Sequence, residues 1–236
     1  MTAQPLILLP GWGLGSASLV PLAEALGEHF QVSIEALPVV RQADAGQWLD
    51  VLDQRLPRGT WLGGWSLGGM LATLLAARRG ADCPGLLTLA SNARFTASAA
   101  WPTAMPVATF EAFREGYALS PAATLKRFAM LCSQGAGDAR GLSRGLLAQA
   151  GGVDTLAGLD LLAMLDSQAA LQHFEGPQLH LFAGGDALVP EAAAAAVQAL
   201  QPAAAVHCIG GAPHAFPRAQ ATEVASLVGR FLEAWQ

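Results

Sequence analysis

The sequence is short of charge, of cysteine and of any excess of basic residues. Aspartate, glutamate, lysine and arginine together make up 13% of its 236 residues, where roughly 25% is usual. Apolar residues reach 53%. That excludes disorder, which needs low hydrophobicity and high charge. Alanine alone fills 48 positions, so much of the apolar content is small side chains. Thirteen basic against eighteen acidic residues leave a net charge of −5. A nucleic-acid binder is therefore not expected, because its footprint would be basic. The only cysteines are Cys83, Cys132 and Cys208, with no CxxC pair, so neither a zinc ribbon nor a disulfide framework is in prospect. Their odd number points to reduced thiols and a cytoplasmic setting. The apolar run Leu6–Leu9 is too short for a signal peptide and has no basic residue before it.

Long apolar runs are also scarce. Residues 59–77 carry no charge, which is the length of a membrane span. Glycines at 59, 63, 64, 68 and 69 crowd its first half and depress helix propensity there. A strand, a sharp turn and a buried helix account for these letters better, and no membrane partner is expected.

Short apolar runs alternate with helical patterns, the signature of an α/β fold with a parallel sheet. Strands are expected at Leu6–Leu9, Phe30–Glu35, Thr60–Gly63 and Gly85–Ala90. The intervening helices should be capped by Ser16 or Ser18 and by Asp44, with a third at Leu67–Arg78. From about Thr96 to Leu171 the pattern is helical only, with candidates at Val107–Tyr117, Pro121–Cys132, Asp138–Gln149 and Thr155–Leu165. Alternation then resumes with strand Gln178–Ala183, helix Pro190–Leu200, strand Ala205–Ile209 and a final helix from about Ala221. The expected organisation is a mostly parallel sheet with helices on both faces, built from residues 1–95 and 172–236. Residues 96–171 form a helical cap at the strand ends, where open α/β sheets bind ligands.

Gly64-Trp65-Ser66-Leu67-Gly68 fits G-x-S-x-G, with strand letters before it and a helix after. Such a turn holds a serine strained and exposed, and small neighbours let the chain cross itself. A serine nucleophile needs a base, and the base needs an orienting acid. His29 and His173 sit near helix ends, and His180 and His207 fall inside expected strands. His214 alone follows a strand and precedes a helix. Asp186, in Gly184-Gly185-Asp186, follows the preceding strand; Asp154, Asp160 and Asp166 are rivals within the insertion. The order Ser66, Asp186, His214 is that of an α/β-hydrolase triad. An oxyanion hole would take one amide from Leu67 and one from the loop after the first strand, where Pro10 has no N–H and Trp12 lies between two glycines.

These segments, namely Pro10-Gly11-Trp12-Gly13, Gly64–Gly69, Gly184–Pro190 and Ala212-Pro213-His214, resemble the α/β-hydrolases. Among them they are most similar to the pimeloyl-[acyl-carrier protein] methyl ester esterases of biotin synthesis. Ala90-Ser91, Trp101-Pro102 and Lys126–Leu131 carry the similarity further, over about residues 6–235. Pro10 stands where that family usually has histidine. The resemblance implies a cofactor-free, monomeric serine esterase with Trp12, Phe128 and Cys132 at the substrate. Haloalkane dehalogenase and epoxide hydrolase chemistry would need an aspartate at position 66. A broad short-chain carboxylesterase, a carbon–carbon bond hydrolase and a non-catalytic binding module of the same fold are the alternatives.

One charge feature stands apart from the resemblance. Residues 126–144 hold Lys126, Arg127, Arg140 and Arg144 against the single acid Asp138. On a helix Arg140 and Arg144 share a face and repel slightly, which suits an anionic partner. The resemblance implies that Arg127, Arg140 and Arg144 meet acyl carrier protein, an acidic helical protein that bears the substrate.

Overall fold

The computed structural model describes residues 3–150 and 156–235. Six strands form one all-parallel sheet: β1 (Gln4–Leu9), β2 (Phe30–Ile34), β3 (Trp61–Trp65), β4 (Leu86–Leu89), β5 (Gln178–Ala183) and β6 (Ala205–Ile209). Their spatial order is β2-β1-β3-β4-β5-β6. The order reverses between β1 and β3, which opens a crevice at the carboxyl ends of those two strands. The central strands β3, β4 and β5 are buried along their whole length, as parallel strands covered on both faces must be.

Eleven helices connect and cover the sheet among the described residues. Before β3 come α1 (Val20–Ala25) and α2 (Ala45–Arg55), and α3 (Leu67–Arg79) follows it. Between β4 and β5 lie α4 (Val107–Leu119), α5 (Pro121–Ser133), α6 (Ala139–Leu147), α7 (Leu156–Met164) and α8 (Gln168–His173). The chain closes with α9 (Ala192–Leu200), α10 (Phe216–Ala219) and α11 (Ala221–Trp235). Helices α4 to α6 pack on one another in sequence, α7 packs on α4, and α8 turns back to α3. The uncharged stretch 59–77 resolves into β3 and α3, and no described helix is long and apolar enough to cross a membrane.

Several local expectations change. Neither Ser16 nor Ser18 caps a helix. The Ser18 hydroxyl instead donates to the Gly15 carbonyl at 2.6 Å, tightening a 3-10 turn over Ser16–Leu19 ahead of α1. Asp44 caps α2 through the Gln47 N–H as expected. Asp138 stands outside α6 as its cap, accepting the Gly141 N–H at 2.8 Å. The helical stretch after β4 contains isolated bridges, Arg94 with Asp166 and Thr96 with Met105. Thr155, the expected start of α7, and Asp154 lie outside the described residues.

Two buried polar clusters brace the sheet region. Arg79, with a fully buried side chain, donates to Asp53 Oδ1 at 2.7 Å and to the carbonyls of Asp53, Leu56 and Pro57. On β5, the Gln178 amide donates to the carbonyls of Leu171 and Phe174. Its oxygen therefore faces His180 Nε2 at 3.2 Å. That ring nitrogen must carry the proton, so Nδ1 accepts from the Thr88 hydroxyl at 2.7 Å. Burial pushes the His180 pKa down to about 4. His180 is a satisfied core histidine.

Candidate active site

Ser66 joins β3 directly to α3, and its backbone is strained at φ 55, ψ −120. This conformation costs on the order of 1–3 kcal/mol outside glycine and survives only where neighbours enforce it. The neighbours are close backbone. A Cβ on Gly64 would lie 2.3 Å from the Gly68 carbonyl, and one on Gly68 would lie 2.2 Å from the Leu9 oxygen. On the other side, Ser91 donates its hydroxyl to the Ser66 carbonyl at 2.9 Å. A Cβ on Gly69 would meet the Ser91 side chain at 2.6 Å. The small residues of the motif are therefore steric requirements of the crossing.

His214 and Asp186 converge on the same sheet end from the loops after β6 and β5. Asp186 Oδ2 lies 2.7 Å from His214 Nδ1. Both side chains are shielded from solvent, at 0% and 1% exposure for His214 and Asp186. The other carboxylate oxygen, Oδ1, accepts the N–H groups of Leu188 and Val189 at 2.8 and 3.0 Å. With both oxygens held as acceptors, the carboxylate fixes the proton on Nδ1 and leaves Nε2 as the lone-pair nitrogen. That Nε2 is buried and has no hydrogen-bond partner among the described residues. An imidazole held in this tautomer can accept a proton at Nε2.

The rival acids are engaged elsewhere. Asp160 pairs with Arg114, and Asp166 with Arg94 at 2.8 Å. The other histidines are equally committed or remote: His173 bonds its own helix at Ala169, and His207 stands exposed on the edge strand β6.

Across the crevice, the loop after β1 passes the serine. A Cβ on Gly11 would lie 3.4 Å from Ser66 Cβ, so the Gly11–Trp12 peptide runs beside the nucleophile. Leu67 is the first residue of α3, and the leading N–H groups of a helix have no partner within it. The loop after β1 and the start of α3 therefore both lie next to Ser66.

Over this loop lies an apolar cavity of about 380 Å³, in the range of small-molecule sites. Trp12, Phe110, Phe113, Phe128, Leu159 and Leu188 contribute to its wall, and Arg127 is its one charged lining residue among those described. Phe128, which the resemblance places at the substrate, is part of that wall. Cys132 does not line this cavity. It is fully buried, and burial with the nearby Asp186 charge pushes its thiol pKa well above the ordinary value. Its carbonyl accepts the Ala215 N–H at 2.9 Å, so it touches the histidine loop through its backbone.

Two residues with a structural part in the site escaped the sequence reading. The Trp65 indole donates to the His214 carbonyl at 3.1 Å, tying the elbow to the histidine loop. Ser91 buttresses the elbow as described above. Trp65 lies inside the Gly64–Gly68 motif and Ser91 among the residues that carry the resemblance, but neither context encodes these contacts. The cavity aromatics of α4 could have been found from the three-residue spacing of Phe110 and Phe113, which puts them on one helix face.

The crevice at the reversal of a parallel sheet, the glycine-framed serine and the Asp–His pair define an α/β-hydrolase architecture. Solved structures agree on the fold. A bromoperoxidase from Bacillus anthracis superposes with a TM-score of 0.84 at 20% identity, over 98% of this chain and 92% of that one. An esterase from Exiguobacterium antarcticum gives 0.76 at 16% identity, over 98% and 92%. No protein-family model matches the chain. Curated sequences are more specific. The pimeloyl-[acyl-carrier protein] methyl ester esterase of Aromatoleum aromaticum is 34% identical over 82% of this chain and 84% of its own. That of Vibrio cholerae is 32% identical over 84% and 82%. The chain belongs to the pimeloyl-[acyl-carrier protein] methyl ester esterase family. It is also 37% identical, over 99% of its length, to the biotin biosynthesis bifunctional protein BioHC of Cellvibrio japonicus. The chain spans about half the length of the bifunctional relatives it matches, 48% and 44%.

Proposed function

We propose that the protein is a serine esterase that hydrolyses the methyl ester of pimeloyl-acyl carrier protein. The observation that carries this reading is His214, held at Nδ1 by Asp186 with its Nε2 buried and unpartnered, at the sheet end that also holds the strained Ser66. Ser66 Oγ attacks the ester carbonyl carbon while His214 Nε2 takes its proton. The N–H groups of Leu67 and Trp12 receive the oxyanion. His214 then returns the proton to the departing methoxide, and methanol leaves. Water, giving a proton to the same nitrogen, attacks the acyl-serine, and collapse frees the carboxylic acid and the serine hydroxyl.

In this reading residues 96–171 form a cap over the core of 1–95 and 172–236. Trp12, Phe128 and the other apolar walls take the methylene chain of the acyl group, at about 0.8 kcal/mol per buried CH₂. The carrier would meet α5 and α6. Lys126, Arg127, Arg140 and Arg144 are all exposed and form no ion pair among the described residues, and Met130 beside them on α5 is 58% exposed. A basic face with an apolar centre is complementary to an acidic helical protein.

The test is turnover of the carrier-bound methyl ester by the purified protein, with p-nitrophenyl acetate in parallel. Wild type should hydrolyse both. Ser66→Ala should lose both by several orders of magnitude with its fold intact. Hydrolysis of the small ester alone would leave a broad carboxylesterase, and activity surviving in Ser66→Ala would remove the nucleophile assignment.

A further inference from the structure

The proposed oxyanion donor on the Trp12 side of the crevice sits on an unusually soft piece of chain. Gly11 and Gly13 flank Trp12, and Gly13 and Gly15 take positive φ values of 80 and 67. Glycine lets a backbone wander, so the peptide between Gly11 and Gly13 is held chiefly through the Trp12 side chain. That side chain is buried, with Trp12 only 3% exposed, and what holds it is the helical segment between β4 and β5. The Trp12 ring meets Phe113 and Tyr117 of α4 and Phe128 of α5 edge-to-face, with centroids 5.8, 5.0 and 5.2 Å away. From α7, Gly158 presses its backbone to the same indole. A Cβ there would stand 2.9 Å from Trp12 Cδ1 and 3.2 Å from Nε1.

We propose that the helices over the crevice set the oxyanion hole by gripping the Trp12 side chain, with Tyr117 and Gly158 as positioning residues for the Trp12 N–H. Phe113 and Phe128 touch both Trp12 and the acyl cavity, so their two duties are entangled. Tyr117 and Gly158 touch Trp12 and are not among the described residues that line the cavity. Their contact with Trp12 is the route toward Ser66 that the described residues show. A misplacement of about 1 Å in a group aimed at the transition state can cost on the order of 100-fold, and loss of a whole oxyanion donor roughly 100- to 1,000-fold. A seated cap thus completes the catalytic apparatus as well as covering the substrate.

This inference rests on the esterase reading of Ser66, and an acetate ester separates the two. p-Nitrophenyl acetate has no chain to fill the cavity, so it reports on the elbow and the oxyanion hole alone. If wild type does not hydrolyse it in a Ser66-dependent manner, the esterase reading fails. Given that activity, Tyr117→Ala and Gly158→Ala should each lower kcat for the acetate ester about tenfold, with KM changed by less than about twofold. Affinity for a trifluoromethyl ketone, which forms an oxyanion on Ser66, should drop by the same factor as kcat. Tyr117→Phe keeps the ring and should restore the rate. Should Tyr117→Ala fail to fold, Gly158→Ala carries the test, because alanine is the stronger helix former. Losses confined to long-chain esters would make these residues part of substrate binding and overturn the proposal. So would wild-type kcat on acetate in both variants.

Discussion

Arg79 and Arg144 are the same residue type in opposite circumstances, and the contrast divides the molecule. Arg79 closes α3 with its side chain fully buried. It spends its donors on Asp53 and three carbonyls and holds the Asp53 carboxyl below the usual range. Arg55, Arg58, Arg78 and Arg94 of the sheet-bearing part, and Arg114 of α4, also meet carboxylates. Arg41 and Arg230 of the sheet-bearing part are exposed without an ion pair among the described residues, and on α5 and α6 no arginine has one. Arg140 and Arg144 stand exposed, with no ion pair among the described residues. A protein with more acids than bases could have paired them. Cations spent on internal partners maintain the fold, and cations left in water are available to a second molecule.

The largest effect expected from breaking a partnership lies in the sheet-bearing part. Asp186→Asn should lower kcat up to about 10⁴-fold, because an amide at that position favours the wrong His214 tautomer. Single-turnover rates on either ester check this. Equal activity would move the orienting acid elsewhere. Next comes Arg79→Met, which leaves Asp53 Oδ1 and the three carbonyls without their donor, while Arg58 still meets Asp53 Oδ2 at 3.3 Å. It should cost about 3–5 kcal/mol of stability in urea unfolding while leaving kcat of the folded enzyme alone. A cost below about 1 kcal/mol would mean that Arg79 behaves like a surface arginine and would erase the contrast.

The third effect is on pH. An unfolded His180 gains its proton near its ordinary pKa of 6.5, whereas the folded one resists until about 4. Between those values the unfolded chain binds more protons, so stability falls as pH falls through that window. The group's full share is about 3 kcal/mol. His180→Gln should flatten that slope, measured by unfolding at pH 7 and pH 4.5. An unchanged slope would show that other groups dominate acid unfolding.

The smallest effect belongs to α5 and α6. Arg140→Glu combined with Arg144→Glu should reduce kcat/KM for the carrier-bound ester about tenfold and leave p-nitrophenyl acetate untouched. The carrier-bound rate should also decline with added salt, since screening weakens exposed charges beyond about 8–10 Å. Together these results would make the sheet-bearing part answer to acid and the basic face answer to salt. Equal losses on both esters would indicate a misfolded segment instead.

The strands were legible because parallel strands buried on both faces are written as short apolar runs. Gln178–Ala183, buried throughout, falls where the sequence placed it; so does Ala205–Ile209, although that edge strand is partly exposed. Ser66, Asp186 and His214 were legible because the elbow needs glycines and because each expected partner follows a strand. The entry into α1 was misread, since a serine near a helix start is ambiguous between a cap and a turn; here Ser18 bonds backward to Gly15. The side chains that hold the site in place were hidden for a different reason. Trp65, Ser91, Tyr117 and Gly158 act through contacts across long stretches of chain, and no local spacing encodes them. Cys132, placed at the substrate by resemblance, is fully buried and bonds the histidine loop through its carbonyl, a contact that the sequence does not encode.

The crossing at Gly68 also makes the elbow a non-local structure. Its α-carbon lies against the Leu9 and Pro10 carbonyls, and Leu9 is registered opposite Gly64. The elbow is thus bounded on one side by a strand more than fifty residues earlier in the sequence. The strain at Ser66 is sustained by tertiary packing, so a peptide cut from β3 and α3 alone would lack the β1 wall that faces the turn.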